Sequence, residues 1–281
     1  MADVERLRYV LPGIAPDAAG ELCPHCLDTG VVVEEVDGVR RARPCDCRAP
    51  AMRGRRLAAM GIPRRYAACT LENFDPRNRG FDVGRAHQLA KGFVAAYPAV
   101  NAGVLFMGPV GVGKTHLAVG VLQALAEQKG VAGRWCDFGE VLADIRRRYA
   151  HGAFNEYELL EPLITAEVLL VDDLGSMKIR DWTLDVLSYV LNQRYVKQRL
   201  LLATTNYADA RAPAAGAAGP SEKPAYIDTS YLEDLSRAEE TLAERIGDRL
   251  RSRLREMCTT VVVTGTDFRA ETHDERMKTG F

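Results

Sequence analysis

The 281-residue sequence predicts an α/β fold built on a parallel sheet, with a small metal-held module in front of it. Three observations carry that prediction. Residues 108–115 read Gly108-Pro109-Val110-Gly111-Val112-Gly113-Lys114-Thr115, which meets G-x-x-x-x-G-K-[ST] at every specified position. Two further apolar runs, 168–171 and 199–204, are continuous rather than alternating, as strands covered on both faces are. Four of the seven cysteines crowd into residues 23–47.

The cysteines come first along the chain. Cys23-Pro24-His25-Cys26 is a C-x-x-C pair, and Cys45-Asp46-Cys47 supplies two more thiols after a spacer. Thiolates converging across tight turns suit tetrahedral Zn²⁺, and His25 is an alternative to one of them. Between the pairs, Val31-Val32-Val33 and Val39-Arg40 flank Asp37-Gly38, a strong hairpin signal. A zinc ribbon is expected, in which metal holds a module too small for its own core. With four candidate ligands and no open position, the zinc is structural. The chain carries an odd number of cysteines and no export signal, so a disulfide framework is not expected.

Residues 40–65 hold nine arginines (40, 41, 43, 48, 53, 55, 56, 64 and 65) against Asp46, a local charge of 9 − 1 = +8. Such a run is either a solvated surface or a contact for phosphates or an acidic partner. Pro50 and Gly61-Ile62-Pro63 mark a linker, which places the domain boundary near residue 65, with 1–65 as the N-terminal module and 66–281 as the second domain.

In the second domain, residues 84–96 read as a helix packed before a first buried strand at 103–107, which runs into the glycine-rich loop. Beyond it, Leu117, Val121 and Leu125 make one apolar helical face and Gly130 can end the helix. Strand, loop and helix in this order bind phosphate: glycines turn backbone N–H groups inward and the helix N-terminus favours an anion. Lys114 reaches the β/γ-phosphates and the Thr115 hydroxyl can ligate magnesium. Residues 133–138 read as a second strand and 140–149 as a helix ending in Arg146-Arg147-Arg148, charges that suit a helix C-terminus as well as a nucleic acid.

The run 168–171 ends in Asp172-Asp173. After a phosphate loop, the first acid would organise magnesium and the second would polarise an attacking water. An amphipathic helix at 181–197 and the strand 199–204 follow, the latter ending in Thr205-Asn206, whose amide can position water at a γ-phosphate. Residues 207–226 are rich in Ala, Gly and Pro and read as a flexible insertion. Ser230-Tyr231-Leu232-Glu233 opens a helical stretch expected to continue to Met257, with Arg245, Arg249 and Arg253 on one face. Residues 259–263 form a last strand.

Net charge is −1, so any nucleic-acid contact must come from a local cluster. No apolar run approaches the roughly 20 residues needed to span a bilayer, and 1–6 mix charge signs without a signal core, so a cytoplasmic, membrane-free protein is expected.

Taken together, the phosphate loop, Val171-Asp172-Asp173-Leu174-Gly175, Thr204-Thr205-Asn206 and Ser252-Arg253-Leu254-Arg255 make residues 108–268 resemble the AAA+ ATPases of the DnaC-type replicative helicase loaders and the closely similar IstB-type transposition helpers. The resemblance implies a P-loop NTPase αβα sandwich that binds ATP with Mg²⁺ between subunits of a homo-oligomer. Gly108 through His116 would line the nucleotide, with Lys114 and Thr115 as the Walker A pair. Asp172 and Asp173 match Walker B, although the wider superfamily more commonly has Glu where Asp173 stands. Asn206 matches sensor 1 and Arg269 sensor 2. Arg253 matches the arginine finger, and helical spacing leaves Arg249 open beside it. The zinc module is similar to the cysteine-bearing N-terminal domains of some helicase loaders, which bind the helicase. The implied function is an ATPase that loads a replicative helicase on single-stranded DNA. Alternatives are an ATPase assisting a transposase, or an adaptor switched by nucleotide binding with incidental turnover.

Overall fold

The computed structural model describes residues 23, 25, 26, 31–36, 39–45, 47, 54, 56–76, 81–150, 152, 155–177, 181–209 and 240–268. The Asp37-Gly38 turn, residues 210–226 of the insertion, the capping box at 230–233 and Arg269 lie outside them. The chain divides into two compact units, Met1–Arg56 and Leu57–Phe281.

In the first unit, β1 (Val31–Val36) pairs antiparallel with β2 (Val39–Pro44), and Val36 faces Val39 across a two-residue connection. Val31, Val33 and Val39 are exposed. A lone two-stranded hairpin is marginal in water, and the cysteines that flank it in sequence are candidates for its anchor.

The second unit is a five-stranded, all-parallel sheet in the order β4-β5-β6-β3-β7. Its strands are β3 (Gly103–Met107), β4 (Gly133–Asp137), β5 (Val168–Asp172), β6 (Leu200–Thr205) and β7 (Cys258–Val262). Strands β3 and β5 are buried along their whole length. The two-residue period then divides them between two cores. Val104, Phe106, Val168 and Leu170 face one layer, with α1 (Phe81–Ala96) and α2 (Lys114–Lys129). Leu105, Met107, Leu169 and Val171 face the other. That layer holds α3 (Phe138–Ala150), α4 (Glu156–Thr165), α5 (Asp181–Val196), α6 (Leu242–Ile246) and α7 (Asp248–Met257). The result is the αβα sandwich expected.

Three features depart from the sequence reading. Residues 57–65 pack with the sheet: Met60 is fully buried and its carbonyl accepts from Trp135 N at 2.8 Å. Helix α4 was not foreseen. Asn155 caps it by accepting from Tyr157 N, and Leu160, Leu163 and Ile164 are buried despite Pro162 in its interior. The helix expected to run unbroken to Met257 stops at Gly247, whose φ of 84° and ψ of 146° are closed to most side chains. Arg245 therefore lies on α6, while Arg249 and Arg253 lie on α7.

One buried cation ties the second layer together. Arg194 on α5 is fully buried and donates to the carbonyls of Leu163 and Ala166, each at 2.8 Å, and to Leu200 O. It satisfies carbonyls at the C-terminus of α4 that no helical N–H can reach. Burial lowers its pKa to about 10. Among the described residues, no helix is long and apolar enough to cross a membrane.

Candidate functional site

The site lies where β3, β5 and β6 end. Gly108 leaves β3 with its N–H donating to Thr205 O, and a Cβ there would stand 2.0 Å from Val263 O. At Gly111 (φ 83°) a Cβ would meet Asp267 Oδ1 at 1.8 Å, and Gly111 O accepts from Phe268 N at 3.2 Å. These two glycines are dictated by close approach. Val112 is buried and pins the loop, while Val110 is exposed. Gly113 (φ 100°) is the N-cap of α2 and no side chain caps that helix. Its first-turn N–H groups are the donors that a phosphate accepts from. Lys114 is buried and Nζ donates to Pro109 O at 2.6 Å, which folds the side chain back over the loop.

Across from the loop, Asp172 is 8% exposed at the end of β5. Its Oδ1 accepts from Thr115 Oγ1 at 2.9 Å and from Thr204 Oγ1 at 2.6 Å. Burial raises its pKa. The two hydroxyls oppose that shift, and the negative charges of Asp173 and Asp137 add to it. A buried carboxylate beside hydroxyl oxygens is a hard-oxygen set that could hold Mg²⁺.

Asp173 is exposed and adopts φ 51°, in the left-handed region. Its N–H donates to Thr204 Oγ1 at 2.8 Å, and its carboxylate accepts from Asn206 Nδ2 at 2.7 Å. Sequence reasoning missed Thr204, whose single hydroxyl bridges both acids. The signal was available: a hydroxyl residue at the end of an otherwise apolar strand. The turn that follows is fixed by Leu174 N to Thr204 O and by Thr205 Oγ1 to Leu174 O, both at 2.7 Å.

His116 sits one residue beyond the Walker A threonine but is engaged elsewhere. Its Nε2 is 3.0 Å from Thr70 O and 2.9 Å from Asn73 Oδ1, and its ring meets Phe74 edge-on. It fastens the segment 70–74 against the N-terminal turn of α2. Arg253 on α7 lies over the Tyr195 ring with Cζ 5.7 Å from the centroid, and Arg249 is exposed one turn earlier. Neither joins the cluster around Asp172. Arg147 and Arg148 pair with Asp144, and Arg146 stacks over Trp182, so much of that basic cluster is answered locally.

In the first unit, Cys23, Cys26, Cys45 and Cys47 bring all four Sγ atoms within 4.8 Å of one another. Cys23 and Cys45 are 3.7 Å apart, and Cys26 and Cys47 are 3.4 Å apart. Tetrahedral zinc with bonds of about 2.3 Å places its sulfurs about 3.8 Å apart. Backbone N–H groups of Cys26 and His25 lower the Cys23 thiol to about 6, whereas Cys45 is raised and the thiols of Cys26 and Cys45 raise Cys47, so in the absence of metal the cluster favours one thiolate. His25 is exposed and outside the cluster; the C-x-C pair supplies both remaining thiols. These residues fit zinc.

Residues 47–210 match the family described as IstB-like ATP binding protein. The phage-like element PBSX protein XkdC of Bacillus subtilis is 26% identical over 199 residues, 66% of this chain and 72% of that protein. The ATP-binding protein named for insertion sequence IS21 in Pseudomonas aeruginosa is 28% identical over 134 residues, 47% of this chain and 48% of that one. Among solved structures, the crystal structure of the DnaC helicase loader superposes with a TM-score of 0.56 at 28% identity, covering 72% of this chain and 100% of the loader.

Proposed function

The chain belongs to the IstB-like ATP-binding family, and from that membership we propose that it is a Mg²⁺-dependent ATPase that delivers a replicative helicase to single-stranded DNA. The observation that carries the ATPase reading is the double role of Thr204, whose hydroxyl holds Asp172 beside Thr115 and Asp173 beside Asn206. The N–H groups of the loop and Lys114 cradle the β- and γ-phosphates. Thr115 and Asp172 would hold Mg²⁺, which when bound would neutralise charge on the phosphates. Asp173 and Asn206 orient a water in line with the γ-phosphorus. The water's oxygen bonds to phosphorus, the bond to the β,γ-bridging oxygen breaks, and the proton passes through Asp173 to the departing phosphate. The products are ADP and inorganic phosphate.

Completion in trans fits the position of the arginines. Arg253 and Arg249 sit on α7 outside the chain's own cluster, available to the γ-phosphate of a neighbouring copy in a homo-oligomer. The four-thiol unit, holding a structural zinc, would engage the helicase.

The loader reading rests on the likeness to the DnaC loader along the whole of its crystallised chain. The IS21 relative supports the transposase reading instead. Two measurements decide. Single-stranded DNA should stimulate ATP hydrolysis, and tagged protein should capture a hexameric helicase from native lysate in an ATP-dependent manner. Capture of a transposase replaces the loader reading. An Asp173→Asn protein that retains full function establishes the adaptor.

A further inference from the structure

Arg245 is a largely buried cation of the second unit, and the mechanism above does not use it. Its Nε donates to Gly175 O at 2.7 Å and its Nη2 to Ser176 O at 2.9 Å, while Nη1 pairs with Glu240 at 2.7 Å. Its guanidinium also lies 4.8 Å over the ring of Tyr207. Gly175 and Ser176 follow Asp173 by two and three residues, and Tyr207 follows Asn206 directly. One planar group therefore grips, from behind, both segments that carry the Asp173–Asn206 pair. The packing is tight: a Cβ on Gly175 would meet Tyr207 at 3.1 Å and Leu242 at 3.2 Å.

The grip has something to resist. Asp173 holds a left-handed backbone, a region that L residues enter at a cost in strain. Its carboxylate is aimed by the bond from Asn206 Nδ2. If the 174–176 turn relaxed, the acid would swing off the attacking water. Arg245 also sits on α6, and only Gly247 separates α6 from α7, which carries Arg249 and Arg253.

We propose that Arg245 is a positioning residue that holds Asp173 and Asn206 in hydrolytic geometry and links that geometry to the arginine-bearing helix α7. This rests on the ATPase reading. The device requires a fork, since it addresses two carbonyls, a carboxylate and a ring at once; a lysine ammonium keeps only the charge.

The test measures Mg·ATP affinity and single-turnover hydrolysis for the full chain and for Arg245→Ala, Arg245→Lys, Asp173→Asn and the double variant Arg245→Ala/Asp173→Asn. A misplacement near 1 Å costs about 100-fold in rate. Arg245→Ala should lose about that factor in rate while its affinity for Mg·ATP stays within about threefold. Arg245→Lys should stay slow, and the double variant should be no slower than Asp173→Asn alone. Should Arg245→Ala not fold, Tyr207→Leu removes the platform and keeps the hydrogen bonds, with a loss of about tenfold expected. A residue that merely packs would give additive losses and weaken binding in step; that result, full turnover in Arg245→Ala, or recovery in Arg245→Lys overturns the inference. Full turnover in Asp173→Asn overturns instead the placement of Asp173 at the attacking water, and the inference with it; absence of hydrolysis by the parent overturns the ATPase reading.

Discussion

Replacing Thr204 with valine isolates the hydroxyl on which both acids depend. The change is nearly isosteric and Thr204 is 1% exposed, so it opens no cavity and admits no water. Two bonds disappear, the 2.6 Å donation to the Asp172 carboxylate and the 2.8 Å acceptance from Asp173 N–H. A hydrogen bond to a charged group contributes about 1.5–3 kcal/mol, and an orphaned buried N–H costs about 1–3 kcal/mol. The sum is about 2.5–6 kcal/mol, which lowers the melting temperature of a domain this size by about 10 °C. Function should move as well. Thr204 is the stronger of the two hydroxyl donors that hold the Asp172 pKa down against burial, so without it the carboxyl rises further. A protonated Asp172 cannot ligate Mg²⁺. On acidification the variant should therefore lose Mg·ATP affinity at a higher pH than the parent. Thermal unfolding and nucleotide titration between pH 5 and 8 read both effects. A Thr204→Val protein that melts within a degree of the parent and binds with the same pH profile refutes the bridging role.

Three further expectations use the same geometry. Burial raises the Asp172 pKa above the usual aspartate value, so the native state binds that proton more tightly than the unfolded chain does. The stability this contributes is complete below the unfolded pKa and lost as pH rises through the folded one; nucleotide-free Asp172→Asn should thus gain stability on the parent as pH rises, and a constant difference between their melting curves would contradict it. Purified protein should carry about one equivalent of zinc, and Cys47→Ser should weaken its retention; freely titratable thiols with no metal would remove the ribbon. An arginine that completes a neighbour's site leaves ATP binding intact while lowering turnover by about 10³-fold or more. Arg253→Ala and Arg249→Ala, each mixed with Asp173→Asn, identify which one acts by which mixture regains activity; no deficit in either ends the shared-site proposal.

The parallel sheet was legible because strands buried on both faces are apolar along their length, and residues 168–171 and 200–203 are. The helix α4 was not, because Pro162 reads as a breaker; tertiary burial of Leu160, Leu163 and Ile164 outweighs the lost backbone bond. Gly61-Ile62-Pro63 reads as a linker in composition. The backbone of Met60 nonetheless pairs with Trp135, and its side chain fills the first core. Punctuation marks where a chain turns, not where a domain ends. The break at Gly247 carried a signal, a glycine inside a run of good helix formers, but only its positive φ distinguishes a break from a tolerated helical glycine.

Much of the candidate site was readable for a related reason. Phosphate binding by backbone N–H groups demands glycines at fixed spacing, so Gly108, Gly111 and Gly113 declare themselves in one dimension. Thr204 and Arg245 do not, because each acts by joining segments far apart in sequence: Thr204 is 31 residues from Asp173, and Arg245 is 70 from Gly175. A motif records residues that touch the ligand in a fixed order. The residues that hold those in place answer to the packing of β5, β6 and α6, and any side chain with a suitable fork or hydroxyl could be recruited from elsewhere in the chain. This is why the acids at 172 and 173 could be read from sequence while the groups that aim them became visible only in the fold.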